Sequence, residues 1–367
     1  MAKTTIESLV EFGQSAWLDN ISRSMIESGR LKEQIGLGLR GMTSNPTIFD
    51  KAIRLSSDYD KRIEALCNSR RSTFEIYDDL TIKDVQDASD IFRPVYDKTD
   101  GLDGYVSLEV DPRMAFKTEE TIKEARRLSK KVSRPNVMFK IPATDAGFKA
   151  IEELCSEGMN INATLIFSLG QYIETAQAYI NGISRLLEKR GDAGKVRSVA
   201  SVFVSRVDTF IDNEIDKNSL PISLKGKAAV SNSRMIFKRY KEIFSGDRFS
   251  RLKEFGANPQ RVLWASTSTK NPAYSDIKYI TELIGKDTVN TLPENTFQAF
   301  LDHGLIEEAL DADIDDAEFA IQGLRKLGID IDTCCRGLLK DGILSFEKSF
   351  EAVLSSIDKK AASLCKN

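Results

Sequence analysis

The chain has 367 residues, 41% of them hydrophobic, so it is long enough to bury a large core in one barrel or in two domains. Its 52 Lys and Arg residues nearly balance its 55 Asp and Glu residues, which excludes an overall basic field that would hold nucleic acid or an anionic membrane. The single histidine, His303, excludes a His-rich zinc site and any Ser-His or Cys-His pair built without it.

The N-terminus, the lack of long apolar runs and the cysteines indicate the cellular compartment. The N-terminus lacks the apolar stretch of a signal peptide, and no run of about 18 apolar residues marks a membrane helix. The five cysteines form no CxxC pattern, and an odd number argues against a disulfide framework. They are Cys67, Cys155, Cys334, Cys335 and Cys365. We therefore expect a cytoplasmic protein with reduced thiols and with no nucleic-acid or membrane partner.

Eight short β-like runs alternate with longer helix-like stretches. In chain order the runs are residues 15–22, 38–46, 105–111, 136–142, 159–167, 198–205, 261–267 and 288–293. The clearest helix follows the fifth run, where apolar residues recur at spacings of three and four from Leu169 to Leu187. Ser168 and Gln171 resemble a capping box, which places a strand-to-helix junction just before that helix.

This alternation predicts a mostly parallel sheet, either an open doubly wound sheet or a closed eight-stranded barrel. Several strands carry polar residues on one parity and apolar residues on the other, which favours the barrel, with one face lining a site. In the fifth run Asn162 and Thr164 share a face, while Ile161, Ala163 and Leu165 share the opposite face. We predict an α/β fold, an eight-stranded parallel (β/α) TIM barrel with additional terminal helices.

No repeat, low-complexity segment or linker divides the chain, so we expect residues 1–367 to form a single domain. Residues from about 305 onward have the pattern of C-terminal helices. Leu344, Phe346, Phe350 and Leu354 suggest one packed face there.

Lys140 lies near the end of the fourth run, at the strand end where parallel-strand enzymes place catalytic groups. Met138, Phe139 and Ile141 surround it in the sequence, and desolvation by such neighbours favours a neutral, nucleophilic amine. A snorkelling surface lysine is the alternative on local grounds.

Polar residues near the ends of other runs are candidates for the same site. Glu109 could activate a water or form an ion pair, and Asp19 is a candidate general base or a turn residue. Asn45 could offer its amide to a substrate hydroxyl, although Asn-Pro commonly just starts a turn. Arg206 and Lys270 could reach a phosphate from neighbouring loops, or could be solvated cations.

Together and in this order, these segments resemble the transaldolase family. The segments RGMTSNPTIF and VMFKIPATDAGFKAIEEL are similar to its two signatures, and the second signature contains an imine-forming lysine. The similarity continues through SLEVDPR, GMNINATLIFS and SVFVSR. The segment TLPENTFQAFLDHG resembles the longer bacterial-type members.

The resemblance implies a (β/α) barrel enzyme of the pentose phosphate pathway, a class I aldolase-type transferase that needs no cofactor and no metal. A dihydroxyacetone unit would pass from sedoheptulose 7-phosphate or fructose 6-phosphate to glyceraldehyde 3-phosphate or erythrose 4-phosphate. Its partners would be these small sugar phosphates, and the chain would be a monomer or a homodimer.

The resemblance also implies roles in catalysis. Lys140 is expected to form the Schiff base, and Asp19 to take the proton of the C4 hydroxyl. Glu109 and Thr164 are expected to bind and activate the water of imine formation and hydrolysis.

Further residues are expected to bind the substrate by the same resemblance. Asn45 and Asn162 would hold the dihydroxyacetone hydroxyls, with Ser201 beside them and Phe203 in the pocket wall. Arg206 would bind phosphate. STSTKNP replaces the family's Ser-x-Arg-Asn segment, so Lys270 is the second phosphate-binding candidate and Ser268 its alternative.

Two other functions are alternatives for this chain. A fructose 6-phosphate aldolase of the same barrel family would usually carry tyrosine at the position of Phe203, so Phe203 favours the transferase. A non-catalytic sugar-phosphate-binding barrel would have little need for Lys140, Glu109 and Asp19 together.

Overall fold

The computed structural model describes residues 3–365. Eight strands form a closed barrel in chain order, and every neighbouring pair is parallel, including β8 with β1. The strands are β1 (Gln14–Asp19), β2 (Gly41–Thr43), β3 (Tyr105–Glu109), β4 (Val137–Pro142), β5 (Ile161–Ile166), β6 (Ser198–Phe203), β7 (Arg261–Ala265) and β8 (Thr288–Leu292). The predicted TIM barrel is therefore confirmed, and each strand overlaps one predicted run.

Residues 3–365 also form sixteen α-helices, which surround the barrel. They are α1 (Thr5–Phe12), α2 (Arg23–Glu27), α3 (Arg30–Gly36), α4 (Pro46–Leu55), α5 (Asp60–Asn68), α6 (Thr73–Lys98), α7 (Thr118–Val132), α8 (Asp145–Cys155), α9 (Leu169–Glu188), α10 (Ser205–Lys217), α11 (Ala228–Ser245), α12 (Asp247–Glu254), α13 (Lys278–Thr281), α14 (Glu294–His303), α15 (Ile314–Lys326) and α16 (Ile331–Leu364). Over this described range, no helix combines the length and the apolar character that a membrane crossing requires.

Local capping fixes where the helices start after the strands. The predicted capping box is present at α9, where Ser168 Oγ accepts from the Gln171 amide at 3.2 Å and the Gln171 side chain accepts from the Ser168 amide at 3.3 Å. Thr144 caps α8 through the Gly147 amide at 2.9 Å, two residues after β4 ends. This short junction restrains the end of β4, which carries Lys140.

The register of the barrel sets polar and ionisable side chains side by side. Lys140 pairs with Glu109 on β3 and with Asn162 on β5, and Asp19 pairs with Thr43 on β2. The carboxyl ends of parallel strands meet at one end of a barrel, where enzymes of this fold place their active sites. These residues therefore face a common site.

A buried polar network closes the opposite end. Arg261, the first residue of β7, contacts Asp103 Oδ1 at 3.2 Å and donates to Ser15 Oγ at 2.6 Å and to the Thr288 carbonyl oxygen at 2.7 Å. Ser15 and Trp17 on β1 also donate to Asp103. The network therefore joins β1, β7 and β8 at the end of the barrel that lies opposite the common site.

Helices α15 and α16 lie in the region after about residue 305, and α16 packs against α4, α5, α6 and α10. Phe346 and Phe350 are buried and Leu354 packs partly against the core, as predicted, but Leu344 is 43% exposed. The prediction for Leu344 is wrong because two residues along a helix turn the side chain by about 200° away from Phe346.

Candidate active site

A cavity of about 410 Å³ opens at the carboxyl ends of the strands. Eight of the ten predicted site residues line it: Lys140, Asp19, Thr164, Asn45, Ser201, Phe203, Arg206 and Lys270. The other two, Glu109 and Asn162, lie behind this wall and bond to residues within it. The structure therefore brings together residues that are far apart in the sequence.

Lys140 is only 4% exposed and its amine lies at the end of β4. Nζ donates to the Ser44 carbonyl oxygen at 3.0 Å and lies 3.3 Å from Glu109 Oε2. The snorkelling alternative is wrong, because the amine lies within the barrel end and faces the cavity. A buried amine with two oxygen partners has a fixed direction of attack.

Glu109 is the acidic partner of this amine and is 7% exposed. Burial raises the pKa of its carboxyl, and the Lys140 ammonium opposes that shift. Among the residues that the structure describes, Oε1 of Glu109 and Oγ1 of Thr164 have no hydrogen-bond partner although both are buried. Buried polar atoms of this kind are suited to a small polar ligand such as water.

Thr164 lies at an irregularity in β5. The strand register with β6 shifts between Ala163 and Ile166, and Leu165 has a left-handed backbone with φ of 58°. Such bulges redirect side chains and recur beside active sites. The predicted alternation in this strand therefore ends at Thr164, and Leu165 packs against Gly342 of α16.

Asn162 is fully buried beneath the cavity. Its side-chain oxygen accepts from Ser201 Oγ at 2.6 Å, and its amide donates to Ser107 Oγ at 3.1 Å. These bonds fix the orientation of the amide, with one N–H left for a further acceptor.

Asp19 lies at the end of β1, beside Thr43 at the end of the neighbouring strand β2. Thr43 Oγ1 donates to Asp19 Oδ1 at 3.0 Å and shares a bond of 2.7 Å with Thr291 on β8. Burial raises the pKa of Asp19, and Lys140 and then Thr43 oppose the shift. These two neighbours favour the ionised form, whereas burial, which has the larger effect, favours the protonated form.

Asn45 caps the start of α4, since its Oδ1 accepts from the Ile48 amide at 3.0 Å. Pro46 occupies the first helical position, where its missing N–H is tolerated. The cap engages the oxygen of Asn45, so its side-chain NH₂ is the group that can bind a ligand oxygen. The turn role and the binding role that the sequence left open are compatible.

Three cations line the outer part of the cavity: Arg206 from α10, Lys270 from the segment after β7, and Lys51 from α4. Burial lowers the pKa of Arg206. Burial also lowers the pKa of Lys270, and the positive charges of Arg206 and Lys51 add to the effect. Lys270 Nζ donates to Ser268 Oγ at 2.7 Å, so both predicted alternatives lie together. Such a group favours a dianionic ligand.

Aromatic rings close the cavity on one side. The Arg206 guanidinium lies 5.2 Å from the ring centroid of Phe203 and 6.0 Å from that of Phe346. The Phe346 ring also lies 5.9 Å from Lys140 Nζ, and Phe203 packs against Phe167 with centroids 5.4 Å apart. The rings limit the access of solvent to the amine.

Sequence reasoning missed several residues of the site: Thr43, Ser44, Thr47, Lys51, Asn295, Thr291 and Phe346 as a cavity residue. Thr43 and Thr291 carried a usable signal, since each is a polar residue near a strand end. The backbone oxygen of Ser44 carried none, because every residue has a carbonyl group.

Comparisons with known proteins identify the family. The model of the family described as Transaldolase/Fructose-6-phosphate aldolase matches residues 16–357. A protein named Transaldolase from Trichodesmium erythraeum is 44% identical, over 99% of each chain. Transaldolase 2 from Nostoc punctiforme is 41% identical over 98% of each, and Transaldolase from Saccharopolyspora erythraea is 42% identical over 96% of this chain and 97% of its own. The chain belongs to the Transaldolase/Fructose-6-phosphate aldolase family.

Proposed function

We propose that this chain is a transaldolase of the pentose phosphate pathway that transfers a dihydroxyacetone unit between sugar phosphates through a Schiff base on Lys140. One observation carries the proposal: a buried amine, 3.3 Å from a buried carboxyl group, faces a cavity whose outer part is cationic. That arrangement suits attack on a ketone whose other end bears a phosphate. Its relatives' shared name supports the same function.

In the first step, Lys140 gives a proton to Glu109, to which its Nζ donates, and the resulting amine attacks C2 of fructose 6-phosphate or sedoheptulose 7-phosphate. The carbinolamine loses water and becomes the protonated imine. Glu109 transfers the protons of this step through a water that it holds together with Thr164. This role is supported by Oε1 of Glu109 and Oγ1 of Thr164, which are buried and lack a hydrogen-bond partner among the described residues. The raised pKa of Glu109 suits a group that must both give and take a proton.

In the second step, the Asp19 carboxylate takes the proton of the C4 hydroxyl. The C4–O bond becomes a carbonyl, the C3–C4 bond breaks, and its electron pair moves to the imine nitrogen to give an enamine. The aldose phosphate then leaves. The position of Asp19 beside the cavity, with Thr43 as a hydroxyl donor, supports this role.

In the third step, the enamine carbon attacks the aldehyde of glyceraldehyde 3-phosphate or erythrose 4-phosphate, and Asp19 returns its proton. Hydrolysis of the new imine, again with Glu109, releases the ketose phosphate and restores Lys140. Asn45 and Asn162 direct side-chain amides toward the dihydroxyacetone hydroxyls, with Ser201 fixing the amide of Asn162.

Arg206 and Lys270 bind the phosphate in this account, with Lys51 as an outer third cation. Ser268, which accepts from Lys270, contributes its hydroxyl. Free sugars without phosphate would lack these contacts and should bind weakly. The partners are therefore small sugar phosphates, and the chain acts as one domain in the cytoplasm, as a monomer or homodimer.

Phe203 favours the transferase over the related aldolase. Its ring, packed on Phe167 and under Arg206, offers no hydroxyl that could direct water to the enamine. Phe346 adds a second apolar wall near Lys140. The enamine therefore persists until an aldehyde arrives.

The test is to incubate the chain with fructose 6-phosphate, with and without erythrose 4-phosphate, and to measure sedoheptulose 7-phosphate and free dihydroxyacetone. We expect rapid sedoheptulose 7-phosphate formation with the acceptor and slow dihydroxyacetone release without it. Lys140→Arg is the matched control, since it keeps the charge and should abolish both products. Equal dihydroxyacetone release in the two reactions would identify the aldolase instead.

A further inference from the structure

Two cysteines from distant parts of the sequence meet at the end of the last helix. Cys67 lies in the last turn of α5, and Cys365 follows the end of α16 directly. Cys365 Sγ donates to the Glu64 carbonyl oxygen at 3.7 Å, and Glu64 lies one helical turn before Cys67. The two thiols therefore lie beside the same end of α5.

The Cys67 side chain also affects the protonation of Cys365. The pKa of the Cys365 thiol is raised to about 11, first because it hydrogen-bonds with Cys67 and then because of burial. Both side chains are half-buried, so a small reagent can reach them. Cys155 and Cys335 are buried, and Cys335 Sγ donates to the Phe167 carbonyl oxygen at 3.3 Å.

Polar contacts hold the final turns of α16 on the same surface. Lys360 Nζ donates to the Ser56 carbonyl oxygen at 2.6 Å and pairs with Asp60 at the start of α5. Ser356 Oγ donates to Asp50 of α4 at 3.0 Å. These contacts keep Cys365 facing α5 while the thiols are reduced.

The same helix contributes to the active site. Phe346 lies on α16 and lines the cavity, 5.9 Å from Lys140 Nζ to its ring centroid. Helix ends fray when they are not restrained, and α16 ends the described chain. A covalent bond at Cys365 would restrain the end of the helix that places Phe346.

We propose that Cys67 and Cys365 are a site of oxidation, at which a small-molecule disulfide such as oxidised glutathione joins them and fastens the end of α16 to α5. One cysteine thiolate attacks the glutathione disulfide and releases one reduced glutathione. The other cysteine then attacks the mixed disulfide and releases the second. In balance, two protein thiols are oxidised, one glutathione disulfide is reduced to two thiols, and no other reactant is needed.

The test uses the full chain in glutathione buffers that range from fully reduced to fully oxidised. After acid quenching and alkylation of free thiols, peptide mass mapping should find a peptide linking Cys67 to Cys365, on a chain that runs as a monomer in a non-reducing gel. Cys67→Ser and Cys365→Ser are the matched controls, and neither should give an internal link. Absence of the linked peptide in the fully oxidised buffer would overturn the proposal.

A second measurement tests the consequence for α16. Limited trypsin digestion should cleave after Lys359 and Lys360 at least about tenfold more slowly in the oxidised chain, because cleavage of this helix requires local opening. The Cys365→Ser variant should show no change between the two buffers. Equal cleavage of the oxidised and reduced chain would refute the restraint, whether or not the enzyme has transaldolase activity.

Discussion

Replacing Glu109 with Gln separates proton transfer from substrate binding in this site. Gln keeps the size and shape of the side chain and can still accept a hydrogen bond from Lys140, which lies 3.3 Å from Oε2. It cannot carry a proton between the amine, the substrate oxygen and a water. The orphaned Oε1 of Glu109 also loses its charge, so its attraction for a polarised water falls.

The expected magnitude follows from that role. A positioned acid or base contributes about 10²- to 10⁴-fold to a rate, which corresponds to roughly 3–5 kcal/mol of activation free energy. We expect Glu109→Gln to fall in this range for kcat, because imine formation and imine hydrolysis both need the group. KM should change little, since Glu109 lies behind the cavity wall and is not among the cavity's lining residues.

The assay is rapid mixing with fructose 6-phosphate, followed by borohydride trapping at timed intervals. In Glu109→Gln, the trapped adduct should accumulate slowly. Asp19→Asn is the matched control, because it should form the adduct quickly but release erythrose 4-phosphate hardly at all. Normal adduct formation in Glu109→Gln, with slow bond cleavage instead, would refute the proton-transfer role.

Three further changes test other parts of the account. Thr43→Val removes a donor that lowers the pKa of Asp19, so the acid limb of the kcat profile should move to higher pH, and an unmoved limb would contradict this. Arg261→Met breaks the buried contact with Asp103 and should lower the free energy of unfolding in urea by about 3–5 kcal/mol, whereas a loss below about 1 kcal/mol would count against the network. Lys51→Met removes an exposed outer cation and should raise KM for fructose 6-phosphate about two- to fivefold at low salt, with no effect expected in high salt.

The strand positions could be predicted from the sequence because each strand coincides with a short β-like run between helical patterns. Lys140 lies near the end of an apolar run and is followed two residues later by Pro142, so its place near a strand end could be predicted. Parallel topology then places such ends together, which is why residues as distant as Asp19 and Thr164 could be assigned to one site. Their detailed roles came from resemblance to a family.

Other features could not be predicted because they depend on the path of the whole chain. Phe346 was expected on a packed helix face, yet its contact with the cavity depends on how α16 crosses α4 and α10. The left-handed turn at Leu165 interrupts a sequence that otherwise alternates well. Cys67 and Cys365 lie nearly the whole chain apart, and no local pattern pairs them.

The most direct measurement is borohydride reduction of the chain in the presence of fructose 6-phosphate, followed by peptide mass mapping. We expect one reduced dihydroxyacetone adduct, on Lys140, which lies near the end of β4 and faces the cavity. Lys270 and Lys51 line the same cavity and serve as internal controls that should stay unlabelled. An adduct on either of them, or no adduct on Lys140, would contradict the central claim.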